Sequence, residues 1–174
     1  KKDEHMNRNS WKNAVYAAVF AALTFAATMI HLPVPLFSNN GYLHLGDAII
    51  LLCAGCLPAP WACAAAGVGG ALADVAAGAA AWAPATLLIK ILLALLVSSR
   101  GDRILTRRNR WTALLSVFVT VGGYYLAEGL LYGDFVTPVP AMLGNLIQAV
   151  GSLILFYVVG MAMDRAGLKK RLFS

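Results

Sequence analysis

A few side chains in this sequence can do chemistry, and nearly all of them sit in surroundings that offer little else that is polar. Asp47, Asp74 and Glu128 are carboxylates, Lys90 an ammonium, His44 an imidazole, and Asn145 and Gln148 carboxamides. Each lies in or beside a long apolar run. Carboxylates near an imidazole suit acid–base work, and amides suit hydrogen-bonded recognition of a polar ring. Asn145 and Gln148, at i and i+3, share one face of any helix that carries them. Trp82, Tyr124, Tyr125 and Tyr132 add flat aromatic surface, the usual companion of a few placed polar groups in a ligand pocket. No spacing of the His-x-x-x-His kind marks a metal site, and Gly67-Val-Gly69-Gly70 has neither the preceding strand nor the third glycine of a dinucleotide fingerprint. Cys53-x-x-Cys56 has no second pair or nearby histidine, so Cys53, Cys56 and Cys63 read as small buried packing residues. No metal or cofactor is expected in this chain.

The elements that position these groups follow from composition and charge. Of 174 residues, 60% are hydrophobic and 13% charged, against about 45–50% and about 25% in soluble globular chains. A soluble fold of this size cannot hide that much apolar surface, so the chain reads as an integral membrane protein. Disorder, a disulfide scaffold and a nucleic-acid module are excluded as primary readings. Apolar stretches run Trp11–Leu32, Gly46–Leu57, Trp61–Ala80, Pro84–Val97, Trp111–Tyr132 and Ala141–Met163. Two of them fall short of the roughly 20 residues of a full span, so charge has to settle the number of crossings. Apart from Lys90, every basic residue falls in one of three clusters: Lys1–Lys12, Arg100–Arg110 and Arg165–Arg171. The positive-inside rule places all three in the cytoplasm. Crossings between clusters are then even in number, four before Arg100 and two after Arg110. The expectation is an all-α membrane protein of six transmembrane helices, both termini cytoplasmic, with a tight inner turn at Pro58 and Pro60 over Leu57–Trp61. Trp11, Trp61, Trp82 and Trp111 mark interfacial boundaries. Lys1–His5 read as residues foreign to a chain that starts at Met6, and 6–174 as a single six-helix membrane domain.

With this topology, a rise of about 1.5 Å per residue fixes depth. His44, Asp47, Asp74, Lys90, Glu128, Asn145 and Gln148 all fall toward the outer side, and the inner halves of the same helices are nearly without polar groups. Charged groups at depth are functional candidates by default, and a layer drawn from five helices reads as a cup open to the outside. The structural alternatives are specific. Lys90 can pair with Asp74 or Glu128, Asp47 can cap its own helix, Asp74 can serve helix packing, and the two amides can bridge helices. The connection 32–45, with His31 beside it, is either a lid over this cup or a plain loop. On the first helix Ala14, Ala18 and Ala22 recur every four residues, as do Ala17 and Ala21. Such faces allow close helix approach, either inside the chain or to another membrane subunit.

The run Gly41-Tyr-Leu-His-Leu-Gly-Asp-Ala-Ile-Ile50, with Ala71-Leu-Ala-Asp74, Trp82-Ala-Pro-Ala-Thr-Leu-Leu-Ile-Lys90 and Gly144-Asn-Leu-Ile-Gln148, resembles the substrate-binding (S) components of energy-coupling factor (ECF) vitamin transporters. The nearest likeness is to the riboflavin-type group that includes S components for hydroxymethylpyrimidine and pyridoxine. The resemblance covers essentially the whole chain. It implies a non-catalytic binding subunit in a prokaryotic plasma membrane, with a vitamin held near the extracellular face. It also implies a membrane coupling subunit docked on Ala14, Ala18 and Ala22, and two separate ATPase subunits. The sequence has no Walker motif of its own. Substrate contacts are expected from His44, Asp47, Asp74, Trp82, Lys90, Tyr125, Glu128, Asn145 and Gln148. The ligand is pyridoxine- or hydroxymethylpyrimidine-like on this reading, with riboflavin or another heterocycle as alternatives. Two other classes stay open: an intramembrane enzyme using the carboxylate and histidine cluster, and a proton-coupled secondary transporter.

Overall fold

The computed structural model of the chain describes residues 2–30, 32–33 and 42–173. The connection expected to form a lid lies largely outside them, over 34–41, as does His31. The described residues are almost wholly helical: α1 Lys2–Met29, α2 Gly46–Cys56, α3 Ala59–Ala76, α4 Ala83–Leu96, α5 Arg107–Tyr132, α6 Ala141–Arg165 and the short α7 Leu168–Phe173. Between α1 and α2, β1 (Leu32–Pro33) and β2 (Tyr42–Leu43) form a two-residue antiparallel bridge. Four segments, Ser10–Met29, Ala59–Ala76, Arg107–Tyr132 and Ala141–Arg165, are long and apolar enough to cross a membrane, and Gly46–Cys56 and Ala80–Leu96 are shorter apolar helices. These are the six expected helices, two of them short as their apolar runs foretell.

Local chemistry sets the ends. Pro58 is the N-cap of α3 and Pro60 stands in its first turn, where a missing backbone donor costs nothing. Thr106 caps α5 by accepting from the Asn109 amide at 3.1 Å. Gly133 closes α5 in the left-handed region at φ 68°, a conformation that favours glycine. One boundary differs from the apolar run: α3 stops at Ala76, where Gly78 turns at φ 78° and Ala80–Trp82 form a 3-10 turn into α4. Asp74 therefore stands in the last turn of α3 rather than two turns below its end.

Helix α2 is the centre of the bundle. Almost every residue of it is buried, and it packs against α1, α3, α4 and α6. Small residues let the surrounding backbones approach. A Cβ on Gly69 of α3 would come within 2.6 Å of the Ala21 carbonyl and 2.9 Å of Thr24 Cβ, both on α1. Along α1 the two alanine repeats take different faces. Ala17 is buried in the core and Ala21 lies against Gly69, whereas Ala18 and Ala22 are exposed beside Val15, Val19 and Leu23. Ala14 is half-buried between them.

The three basic clusters meet at one end of the bundle, where Lys12, Gly101 and Lys169 line a common cavity. The α4–α5 connection there is held by side chains. Asn109 donates to the carbonyls of Ser98 (2.7 Å) and Ile104 (2.8 Å), and Asp164 accepts from the amides of Ile104 (2.7 Å) and Leu105 (2.9 Å).

The Gly69 contact yields a direct test. Gly69→Val should force α1 and α3 apart and lower stability by about 1–3 kcal/mol, the usual cost of overpacking. Gly122→Ala, on α5 with nothing within 4 Å of the new Cβ, should leave the melting temperature in detergent unchanged or raise it. A Gly69→Val protein melting with wild type would refute the close approach.

Candidate ligand-binding site

Asp47 occupies the first turn of α2 but does not cap it. The N-cap is Leu45 and no side-chain cap is made. The carboxylate turns instead to Lys90, with Lys90 Nζ 2.5 Å from Asp47 Oδ1 and the two side chains 1% and 3% exposed. Lys90 stands seven residues into α4, about 10 Å along the helix axis, too deep to reach water with its own stem. Its partner is thus Asp47, rather than the expected Asp74 or Glu128. Asp74 is half-buried at the end of α3, facing Thr86 and within the field of Lys90.

Other helices complete the arrangement. Thr120 of α5 donates to the second Asp47 oxygen at 3.5 Å, and Gln148 of α6 and His44 lie close enough to act on the same carboxylate. The Lys90 ammonium sits over the Tyr124 ring, 5.2 Å from its centroid, a cation–π contact strengthened by the absence of water. Thr86 Oγ1 lies 3.3 Å from the Tyr124 hydroxyl. Space for the lysine comes from Gly70 of α3, where a Cβ would meet Lys90 Cγ at 2.8 Å. Above Tyr124, Trp82 lies 6.3 Å from the rings of both Tyr124 and Tyr132.

The structure therefore joins His44, Asp47, Lys90 and Gln148 into one polar knot, with Trp82 and Asp74 at its edge. Glu128 and Asn145 are half-buried nearer the ends of their helices. Tyr125 is directed elsewhere: its hydroxyl donates to the Phe135 carbonyl at 3.0 Å and its ring packs on Phe135, pinning the α5–α6 connection. The tyrosine at the knot is Tyr124. Sequence reading also passed over Thr86 and Thr120, although each stands one helical turn before a residue already singled out, Lys90 and Tyr124. Among the described residues no three His, Cys, Asp or Glu side chains are grouped to hold a metal. Cys53 and Cys56 are buried free thiols and Cys63 a half-buried one. Because Lys90 and Asp47 neutralise one another, the knot offers hydroxyls, amides and aromatic faces rather than net charge.

Comparison with known proteins bears on what this arrangement serves. The family model for the S component of ECF-type riboflavin transporters matches residues 8–165. A Pyrococcus woesei protein of uncharacterised function is 34% identical over 136 residues, 77% of this chain and 88% of that protein. Among solved structures, the S component of a bacterial ECF transporter matches with a TM-score of 0.71 at 18% identity, covering 90% of this chain and 97% of that one. At that identity the likeness is one of fold.

The ion pair predicts non-additive mutations. Lys90→Met alone should strand a buried carboxylate and cost about 3–5 kcal/mol, and Asp47→Leu alone should cost as much. The double variant Asp47→Leu/Lys90→Met should recover a large part of that loss, as read by melting temperature in detergent. Additive losses would mean that the two residues do not depend on one another.

Proposed function

Because the chain belongs to the family of ECF-type riboflavin transporter S components, we propose that it is the membrane-embedded substrate-capture subunit of an ATP-driven importer, binding one small vitamin or vitamin precursor. The observation that carries this reading is the convergence of α2, α4, α5 and α6 on a single buried polar knot beneath an aromatic wall. Side chains that only tied neighbouring helices together would be expected as scattered pairs at several depths. With the basic end in the cytoplasm by the positive-inside rule, the knot belongs to the extracellular half. Asn145, Gln148 and Glu128 offer hydrogen bonds, and Trp82 and Tyr124 offer stacking faces. A small uncharged heterocycle carrying hydroxyls, pyridoxine- or hydroxymethylpyrimidine-like, fits this set, and riboflavin is the larger alternative. The chain itself performs no catalysis on this reading. The exposed Ala18–Ala22 face of α1 takes the membrane coupling subunit, and two ATPase subunits on the cytoplasmic side supply the energy.

A thermal-shift screen of B vitamins and their precursors, with mass spectrometry of whatever co-purifies, tests the capture role. One compound should stabilise the protein by RT ln(1 + [L]/Kd), about 2.7 kcal/mol at a hundredfold excess over Kd. Gln148→Ala and Asn145→Ala should each weaken its binding by about 1–3 kcal/mol. No shift from any compound and no co-purified ligand would refute the reading, and full affinity in both variants would move the site elsewhere.

The docking face is tested separately. Ala18 is exposed and stands in the half of α1 nearer the basic end, away from the knot. Ala18→Leu should bind ligand with unchanged affinity yet fail in ATP-dependent uptake when reconstituted with its coupling module, because a bulky side chain holds off a closely packed helix. Full uptake with Ala14, Ala18 and Ala22 all enlarged would refute the assignment.

A further inference from the structure

At the basic end a cavity of about 230 Å³ opens between the start of α1, the α2–α3 turn, the α4–α5 connection and α7. Lys12, Asn13 and Tyr16 line it from α1, Asp102 from the connection, and Lys169 and Phe173 from α7. It is a site apart from the knot. Helix α2 touches the cavity with Cys56 and the knot with Asp47, about 14 Å apart along its axis.

Lys169 makes this cavity chemically incomplete. The residue is 6% exposed. Its ammonium donates to the carbonyls of Ser99 at 2.8 Å and Arg103 at 3.3 Å, which leaves one hydrogen unspent and, among the described residues, no carboxylate in an ion pair with it. The nearby carboxylates are engaged elsewhere. Asp102 pairs with Lys170 at 2.9 Å on the exposed rim, and Asp164 accepts from the Ile104 and Leu105 amides. Burial pulls the Lys169 ammonium below its ordinary pKa, the mark of a charge short of compensation. Lys12 adds a second positive charge at the mouth and Asn13 an amide donor, whereas the Tyr16 hydroxyl is spent on the Leu172 carbonyl at 2.8 Å.

We propose that this cavity binds the phosphate of an anionic phospholipid headgroup from the adjoining leaflet. A buried cation beside an open volume calls for an anion, and the position of the cavity says which. Trp11, next to Lys12, and Trp111 are 70% and 68% exposed, an aromatic belt that sets this end at headgroup depth. The leaflet that the positive-inside rule assigns to this end is the anionic one.

Native mass spectrometry of the delipidated full chain, titrated with phosphatidylglycerol or phosphatidylcholine, tests the proposal. One phosphatidylglycerol should be retained in preference to phosphatidylcholine. Lys169→Gln, which keeps donors for the two carbonyls while removing the charge, should weaken it about fivefold, and Lys12→Gln on the exposed rim by a similar factor. Should Lys169→Gln fail to fold, Lys12→Gln carries the test alone. Equal retention of the two lipids, or undiminished phosphatidylglycerol binding in the folded variants, overturns the site. Inorganic phosphate that binds alone and displaces the lipid overturns the lipid as its source.

Discussion

The Lys90–Asp47 pair constrains this bundle more than any other contact. An ammonium two turns into a membrane helix has no water to turn to, and it must find its anion within the protein. That requirement fixes the first turn of α2 beside the second turn of α4. It also dictates glycine at position 70, since any side chain there would collide with the Lys90 stem. The second Asp47 oxygen needs donors as well, because a half-satisfied buried network is worse than none. Thr120 supplies one from α5, and Gln148 of α6 stands beside the same carboxylate. The registers of four helices, α2, α4, α5 and α6, are thereby tied to one carboxylate. Of the other membrane helices, α3 makes room for the Lys90 stem at Gly70, and α1 is held to α3 by close packing at Gly69.

The opposite end solves a different problem by the same logic. An irregular connection at the membrane surface leaves backbone groups without helical partners, and each must be satisfied. Asn109, Asp164 and Lys169 do this for the α4–α5 connection, reaching it from α5, α6 and α7. The carboxylate of Asp164 takes two adjacent amides, and the Asn109 amide spans carbonyls on both sides of the turn. A polar lattice closes one end of the molecule and a polar knot the other, with the apolar body of α2 between them.

Much of this was legible before the structure was known. Parity of the basic clusters counted the crossings even where Gly46–Leu57 and Pro84–Val97 are too short to count themselves, since an odd number would have left one cluster on the wrong side. The i, i+3 spacing put Asn145 and Gln148 on one helix face, although only Gln148 reaches the knot. What the sequence could not give was pairing through space. Asp47 and Lys90 are far apart in the chain, and nothing local distinguishes Asp47 from Asp74 or Glu128 as the partner. Tyr125 and Tyr124 are likewise indistinguishable until the phase of α5 is known. Helix α7 escaped notice because six residues mixing Leu and Phe with Lys and Arg make no apolar run. The end of α3 was misjudged because Ala77–Ala81 is as apolar as a helix, and only Gly78 marks the turn.

The shortness of α2 bears on why the ion pair is buried. Eleven residues rise about 16 Å, against a hydrocarbon core of roughly 30 Å. The deficit can fall at either end, and the cavity lining decides which. Cys56 and Pro58, at the close of α2, share that lining with Ser99 and Gly101 of the α4–α5 connection, so α2 ends level with its neighbours at the basic side. The whole shortfall, on the order of 14 Å, therefore lies above Asp47. Neighbouring helices of full length, α5 and α6, continue past it and carry Glu128 and Asn145, both half-buried. A span of ordinary length in the centre would have brought Asp47 to the surface, where water would solvate it and no pairing with Lys90 would be required. Burial of the ion pair thus has a simple cause, the missing upper turns of α2.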